Sequence, residues 1–218
     1  MVAEVRTPRA QQVSATRGRI LDAAERLFAE QGLHAVSNRQ ISVAAGQGNN
    51  AAVGYHFGTK ADLVRAIVRR HSEPTEALRL RLVELAEGST DARDWIACLV
   101  RPAAAHLAAL PQPTWYARFG AQVSTDPAIR SIITEEALAT PALRLMIDGL
   151  HGCLPDLPSE VRAERDAMTR HLMVHMYAER ERALAEGAPV THGSWDEFAT
   201  GLVDALTGLW TAPVAARG

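Results

Sequence analysis

Apolar residues recur along this chain at intervals of three and four, and no stretch alternates convincingly as a half-buried strand does. The pattern predicts an all-α protein with breaks where Gly and Pro cluster. A first helix is expected from about Thr16, with Ile20, Ala24, Leu27 and Phe28 on one face and Gly32 at its end. Ser37 is a cap candidate for a second, very short helix; Gln40 follows three residues on, as in a capping box, and Ile41, Ala44 and Ala45 form a buried stripe before Gly46. The stretch QGNNAAVGYHFGTK gives a glycine-containing turn and then a short run with Val53 and Phe57 four apart on one face. A fourth helix opens at Thr59 and Lys60 and carries Leu63, Val64, Ile67 and Val68 to about Arg70, with Pro74 as the next boundary.

Beyond Pro74 the periodicity predicts helical segments near 75–87, 91–110, 114–124, 127–138, 141–153, 159–186 and 194–211. Pro102 falls inside the second of these and is expected to kink or split it, because proline lacks the amide and crowds the preceding turn. In the long 159–186 segment, charges at Glu164, Arg165, Asp166, Glu179, Arg180, Glu181 and Arg182 flank an apolar middle of Met168, Leu172, Met173, Met176 and Tyr177. That is the pattern of a helix packed on one side.

With 218 residues and 47% apolar composition the chain can bury a substantial core. Cys98 and Cys153 lie far apart without metal-ligand spacing, which argues against a disulfide framework and for a reducing, cytoplasmic setting. No apolar run approaches the roughly 20 residues that span a bilayer, so no membrane association is expected. Charge changes the picture more than composition does. Residues 1–71 hold 10 Lys and Arg against 5 Asp and Glu, leaving 13 against 20 in the rest, so a polyanion would be drawn to the first third alone.

A short helix, a glycine turn and a second short helix on a helical platform is the geometry of a major-groove reader. On that reading the element at Asn49–Phe57 faces the bases, and its neighbours, Arg39 and Gln40 among them, hold it in register on phosphates. Asn49 and Asn50 have two readings, as base or backbone contacts through their carboxamides or as cap and turn residues. Ala51, Ala52 and Gly54 permit close approach, while Tyr55 and His56 carry polar tips that reach phosphate oxygens. Lys60 at a helix start, and Thr16 with Arg17 at another, are candidates to bind a phosphate beside free backbone amides.

These residues carry a resemblance. TRGRILDAAERLFAEQG followed by NRQISVAAGQGNNAAVGYHFGTKADLVRAI is similar to the N-terminal domain of TetR-family (tetracycline-repressor-like) regulators, over roughly residues 16–70. The shared pattern is the Ile-Leu-x-Ala-Ala-x-x-Leu-Phe first helix, the Ala-Gly turn, Tyr55-His56-Phe57 and the fourth helix opened by Lys60; Gly46 to Phe57 is one residue longer than the usual family spacing. The resemblance implies a DNA-binding domain over 14–72 and a ligand-binding, dimerising domain over 73–218. It implies a homodimer on a palindromic double-stranded DNA operator, with reading heads about 34–36 Å apart or a multiple of that, and a repressor released by a small organic effector. The last two helices resemble the family's dimer-forming pair, with Leu202, Leu206, Leu209 and Trp210 as contacts; packing of these four within one chain is the competing account.

An effector pocket is expected among the central helices. Trp95, Cys98, Trp115 and Phe119, with Met146, Met168, His171 and His175, combine apolar bulk with a few polar tips, against the alternative of ordinary core packing. His171 and His175 stand at metal-pair spacing, yet no Glu lies between them in the catalytic arrangement and no third ligand is evident, so no metal and no cofactor are expected. The chain contains no Gly-x-Ser-x-Gly, phosphate loop or His-Glu-x-x-His, so an enzyme or a small-molecule carrier is the rival reading rather than the leading one.

Overall fold

Local chemistry sets where most helices begin. In the computed structural model, which describes residues 7–49 and 51–214, the Thr7 hydroxyl accepts from the amide of Ala10 and opens helix α1, Pro8–Gln31. That is about two and a half turns earlier than the start expected at Thr16. Residues 9–15 are exposed and carry no apolar face, so periodicity gives no sign of them. The Ser37–Gln40 capping box opens α2, Asn38–Ala44, and α3 spans Ala52–Phe57. Thr59 and Asp62 form a second capping box on α4.

Two prolines expected to bound, kink or split helices end neither of them. Helix α4 runs Lys60–Ala86 with Pro74 inside it, and α5 runs Ala92–Ala109 with Pro102 inside it. The carbonyl one turn before Pro102, that of Cys98, has lost its amide partner and accepts instead from Arg79 Nε of α4 at 3.3 Å. The remaining helices, α6 (Tyr116–Val123), α7 (Pro127–Leu138), α8 (Pro141–Cys153), α9 (Ser159–Glu186) and α10 (Trp195–Thr211), lie close to the expected bounds, and the described residues contain no strand.

The side chains bury themselves in two clusters. The first joins Ile20, Ala24 and Phe28 of α1 to Ile41, Val53, Leu63 and Ile67, and it is closed by Phe119 and Val123 of α6 and Ile129 of α7. The second gathers Trp95, Ile96 and Val100 of α5 with Met146 and Leu150 of α8 and Leu202, Leu206 and Trp210 of α10. These three α10 residues are thus buried within the protomer against α5, which rules them out as dimer contacts.

Helix α9 packs Leu172, Met173 and Tyr177 inward as expected but departs from the expected polarity at five other positions. Arg165, Arg180 and Glu181 are buried, while Met168 and Met176 are exposed. The buried charges close the ends of other helices. Glu181 accepts from the amides of Ala117 (3.1 Å) and Arg118 (2.9 Å) and from Arg118 Nε (3.2 Å), supplying the cap that Trp115 does not give α6. Arg165 donates to the carbonyls of Trp210 and, at 2.6 Å, Ala212, satisfying the last turn of α10. Likewise Glu76 of α4 accepts from the amides of Ala142 (2.8 Å) and Leu143 (3.3 Å) at the start of α8.

Candidate nucleic-acid interface

Helix α3 is the element most fully offered to a partner. One side of it, Ala52, Val53 and Phe57, is buried in the first cluster; the other carries Ala51 and Gly54, both exposed, and Tyr55, whose ring is 84% exposed. A tyrosine so exposed on so short a helix has no packing role, whereas a flat ring with a hydroxyl tip suits a groove wall or a phosphate. His56 is half-buried with its ring edge-on to Tyr55 at 5.0 Å.

The turn from α2 to α3 depends on Gly46, whose φ of 66° is a left-handed conformation that a side chain would strain. Its amide bonds the carbonyl of Val43 (3.0 Å) and that of Gln47 bonds Ser42 (2.9 Å), closing the end of α2. Asn49 Oδ1 accepts from the amide of Ala51 at 2.8 Å, so this side chain shapes the entry to α3. Asn50 lies outside the described residues.

Several candidates for phosphate contact are engaged inside the protein. Arg17 donates to the carbonyl of His56 and stacks on the Phe57 ring, 4.3 Å from its centroid, clamping the end of α3 onto α1. Lys60 Nζ donates to the carbonyls of Leu33 (2.9 Å) and Val36 (2.7 Å), tying the start of α4 to the α1–α2 connection. Thr16 lies inside α1, where it accepts from Arg19 (3.3 Å), and so offers no helix-start amides beside it. Gln40 accepts from the amide (2.8 Å) and hydroxyl (2.7 Å) of Ser37. Arg39 is exposed on α2.

The expected pocket residues do not come together. Trp95, Cys98 and Met146 belong to the second cluster, and Trp115 and Phe119 pack with the first. Burial pushes the Cys98 thiol up to about 11. Met168, His171 and His175 stand on the exposed side of α9, the two imidazoles stacked at 6.0 Å, and so line no interior pocket of the protomer.

No sequence motif signals how α3's platform is fastened to the remaining helices. Arg69 makes two bonds of 2.8 Å to the Glu136 carboxylate on α7, and Arg65 adds a third contact at 3.1 Å; these guanidinium bonds hold the Glu136 carboxyl below its usual range. Glu25 of α1, His71 of α4 and His106 of α5 form a buried line, Glu25 Oε2 to His71 Nε2 at 2.8 Å and His71 Nδ1 to His106 Nε2 at 2.8 Å. Tyr116 stacks on His71 at 3.8 Å. Burial, and then the neighbouring His71, lower His106 to about 4.

The sequence matches two family descriptions. Residues 20–67 match "Bacterial regulatory proteins, tetR family", and residues 97–208 match "Tetracyclin repressor-like, C-terminal domain". Among curated protein sequences, none matches the chain. Its fold is similar to that of the TetR family transcriptional regulator PfmR from Thermus thermophilus, at 20% identity and a TM-score of 0.51 over 90% of this chain and 100% of the other. It is also similar to a TetR family member, SCO1917, from Streptomyces coelicolor A3, at 19% identity and a TM-score of 0.51 over 91% and 99% of the two chains. With both halves matched and a helix-turn-helix presented as described, the chain belongs to the TetR family of bacterial transcription regulators, and α1–α3 are its DNA-binding head.

Proposed function

We propose that the protein is a ligand-responsive repressor that binds a palindromic operator as a homodimer through residues 14–72 and is released when a small organic effector binds residues 73–218. The observation that carries this reading is α3, anchored by Arg17 and the Gly46 turn and presenting an exposed Gly54–Tyr55 surface. Dimerisation is supported by the outer side of α9. Met168 and Met176 are exposed there with Leu172 half-buried between them, an apolar strip that a second copy would cover. Release follows if the effector prefers a state in which the two heads no longer match the operator spacing.

The test is selection of the purified protein against a random duplex library at moderate salt, with Tyr55→Ala alongside. Enrichment of one site with two inverted halves, weakened by the substitution at unchanged melting temperature, is the expected result. An absence of enrichment at every salt concentration would end the DNA-reading proposal and favour a carrier or an enzyme.

A further inference from the structure

A cleft of about 520 Å³ lies where the head meets the core, within the size range of small-molecule sites. Its walls come from both sides. Arg26 of α1 with Ala44 and Ala45 at the end of α2 contribute one, and Pro111, Thr114 and Trp115 of the α5–α6 connection the other. The lining holds three guanidinium groups, Arg19, Arg26 and Arg70, against two carboxylates, Asp22 and Glu25. Arg70 is committed to both acids, at 2.6 Å and 2.7 Å. Arg19 and Arg26 are exposed and have no ion pair among the described residues. With three cations and two anions, the cleft carries one net positive charge. Thr114, 4% exposed, has a hydroxyl without a hydrogen-bond partner among the described residues, a cost the fold bears at the cleft's edge.

We propose that this cleft binds small aromatic monocarboxylates. The ring lies against Trp115, Pro111 and the two alanines, and the carboxylate is held by Arg26 and Arg19. Flat apolar walls select a flat apolar body, and a single uncompensated positive charge selects a monoanion. Because the walls belong to α1 and α2 on one side and to residues 110–115 on the other, an occupant ties the head to the core. Its effect on operator affinity rests on the regulator reading above; its binding does not.

Calorimetric titration of the full-length protein with 2-naphthoate, and with 2-naphthamide as its uncharged shape match, tests the site. Naphthoate is expected to bind one per protomer, about tenfold or more tighter than the amide, since a charge-assisted guanidinium bond is lost. Arg26→Ala should weaken naphthoate by a similar factor, and Ala44→Trp, which puts an indole into the mouth, should abolish binding. Both positions are exposed, so both variants should melt as the wild type does; if Ala44→Trp does not fold, Arg26→Ala decides. No saturable naphthoate binding, or binding that Arg26→Ala leaves unchanged, overturns the proposal. A parallel operator titration separates the two readings: naphthoate binding without any operator affinity removes the regulator role and leaves the site.

Discussion

Replacing Lys60 by methionine removes the ammonium and keeps most of the stem, and the structure predicts that the head loses stability whether or not DNA is present. Nζ donates to the carbonyls of Leu33 at 2.9 Å and Val36 at 2.7 Å, so two backbone acceptors lose their partner. A hydrogen bond from a charged donor contributes roughly 1.5–3 kcal/mol. Lys60 is half-buried, and water can replace part of each bond, so about 1 kcal/mol apiece is the fair figure and about 2 kcal/mol the expected loss. In a protein of this size each kcal/mol moves Tm by about 2–4 °C, so Lys60→Met should melt about 4–8 °C below wild type. The measurement is calorimetry at one fixed protein concentration, because subunit association makes Tm depend on concentration. The role read from sequence, a phosphate ligand at a helix start, makes the opposite prediction: an unchanged Tm and a salt slope of DNA binding shallower by about one. A Tm within about 1 °C of wild type together with that shallower slope would refute the structural argument.

Further outcomes can be read by unfolding alone. Gly149→Ala should destabilise by about 1–3 kcal/mol, because a Cβ there would meet the Trp95 ring at 2.4 Å; Gly152→Ala, in the same helix with nothing within 4 Å, should stabilise by about 0.5–1 kcal/mol, and urea midpoints of the pair would expose any error in sign. Glu181→Gln should cost about 3 kcal/mol in the same assay, since it breaks a buried ion pair and sets an amide NH₂ against the donor of either Ala117 or Arg118. His106 sits near 4 in the folded protein against 6.5 ordinarily. The unfolded chain therefore takes up a proton that the folded one refuses, and stability falls as pH drops from about 6.5 to about 4. His106→Asn should flatten that slope in a pH series of urea midpoints, and an unflattened slope would place the effect elsewhere.

Legibility followed the range of the interaction. The Ser37–Gln40 box, the prolines opening α7 and α8 and Gly187 ending α9 act within a few residues, and the sequence displays them directly. The same holds for the head, whose short helices and glycine turn are consecutive. Legibility failed where a side chain serves a distant backbone. Lys60 reaches back 27 and 24 residues, Arg165 forward 45 and 47, and Glu181 back 64 and 63. Periodicity assigns such charges to solvent, so on α9 it placed Arg165, Arg180 and Glu181 outside and Met168 and Met176 inside, the reverse of what is found, while Leu172, Met173 and Tyr177 do pack inward. Residues expected to line one pocket are divided between the two clusters for a different reason. Aromatic and thioether side chains at helical spacing look alike whether they fill one cavity or two separate cores.

Helix α6 shows what those long-range contacts achieve together. Its first amides are held by Glu181, from the helix whose outer side carries the exposed methionines. Its Tyr116 lies on His71, between the Glu25 and His106 ends of the buried polar line. Its Phe119 stacks on Phe28 at 6.2 Å, inside the cluster that supports α3. The loop that enters it, residues 110–115, forms one wall of the cleft. A close-packed interior does not stretch to absorb a displacement, so α6 cannot move along its axis without either carrying Phe28 and α1 with it or opening the first core. The second alternative would expose Phe119 and Val123, both fully buried, at about 1.5–3 kcal/mol each. Carrying the head along is therefore the less costly response to a shift at the α5–α6 loop. Amide exchange across Ile20–Leu27 should then change together with that of Ala117–Val123 when the cleft is filled, whereas a change confined to α6 would show that the two are not mechanically joined.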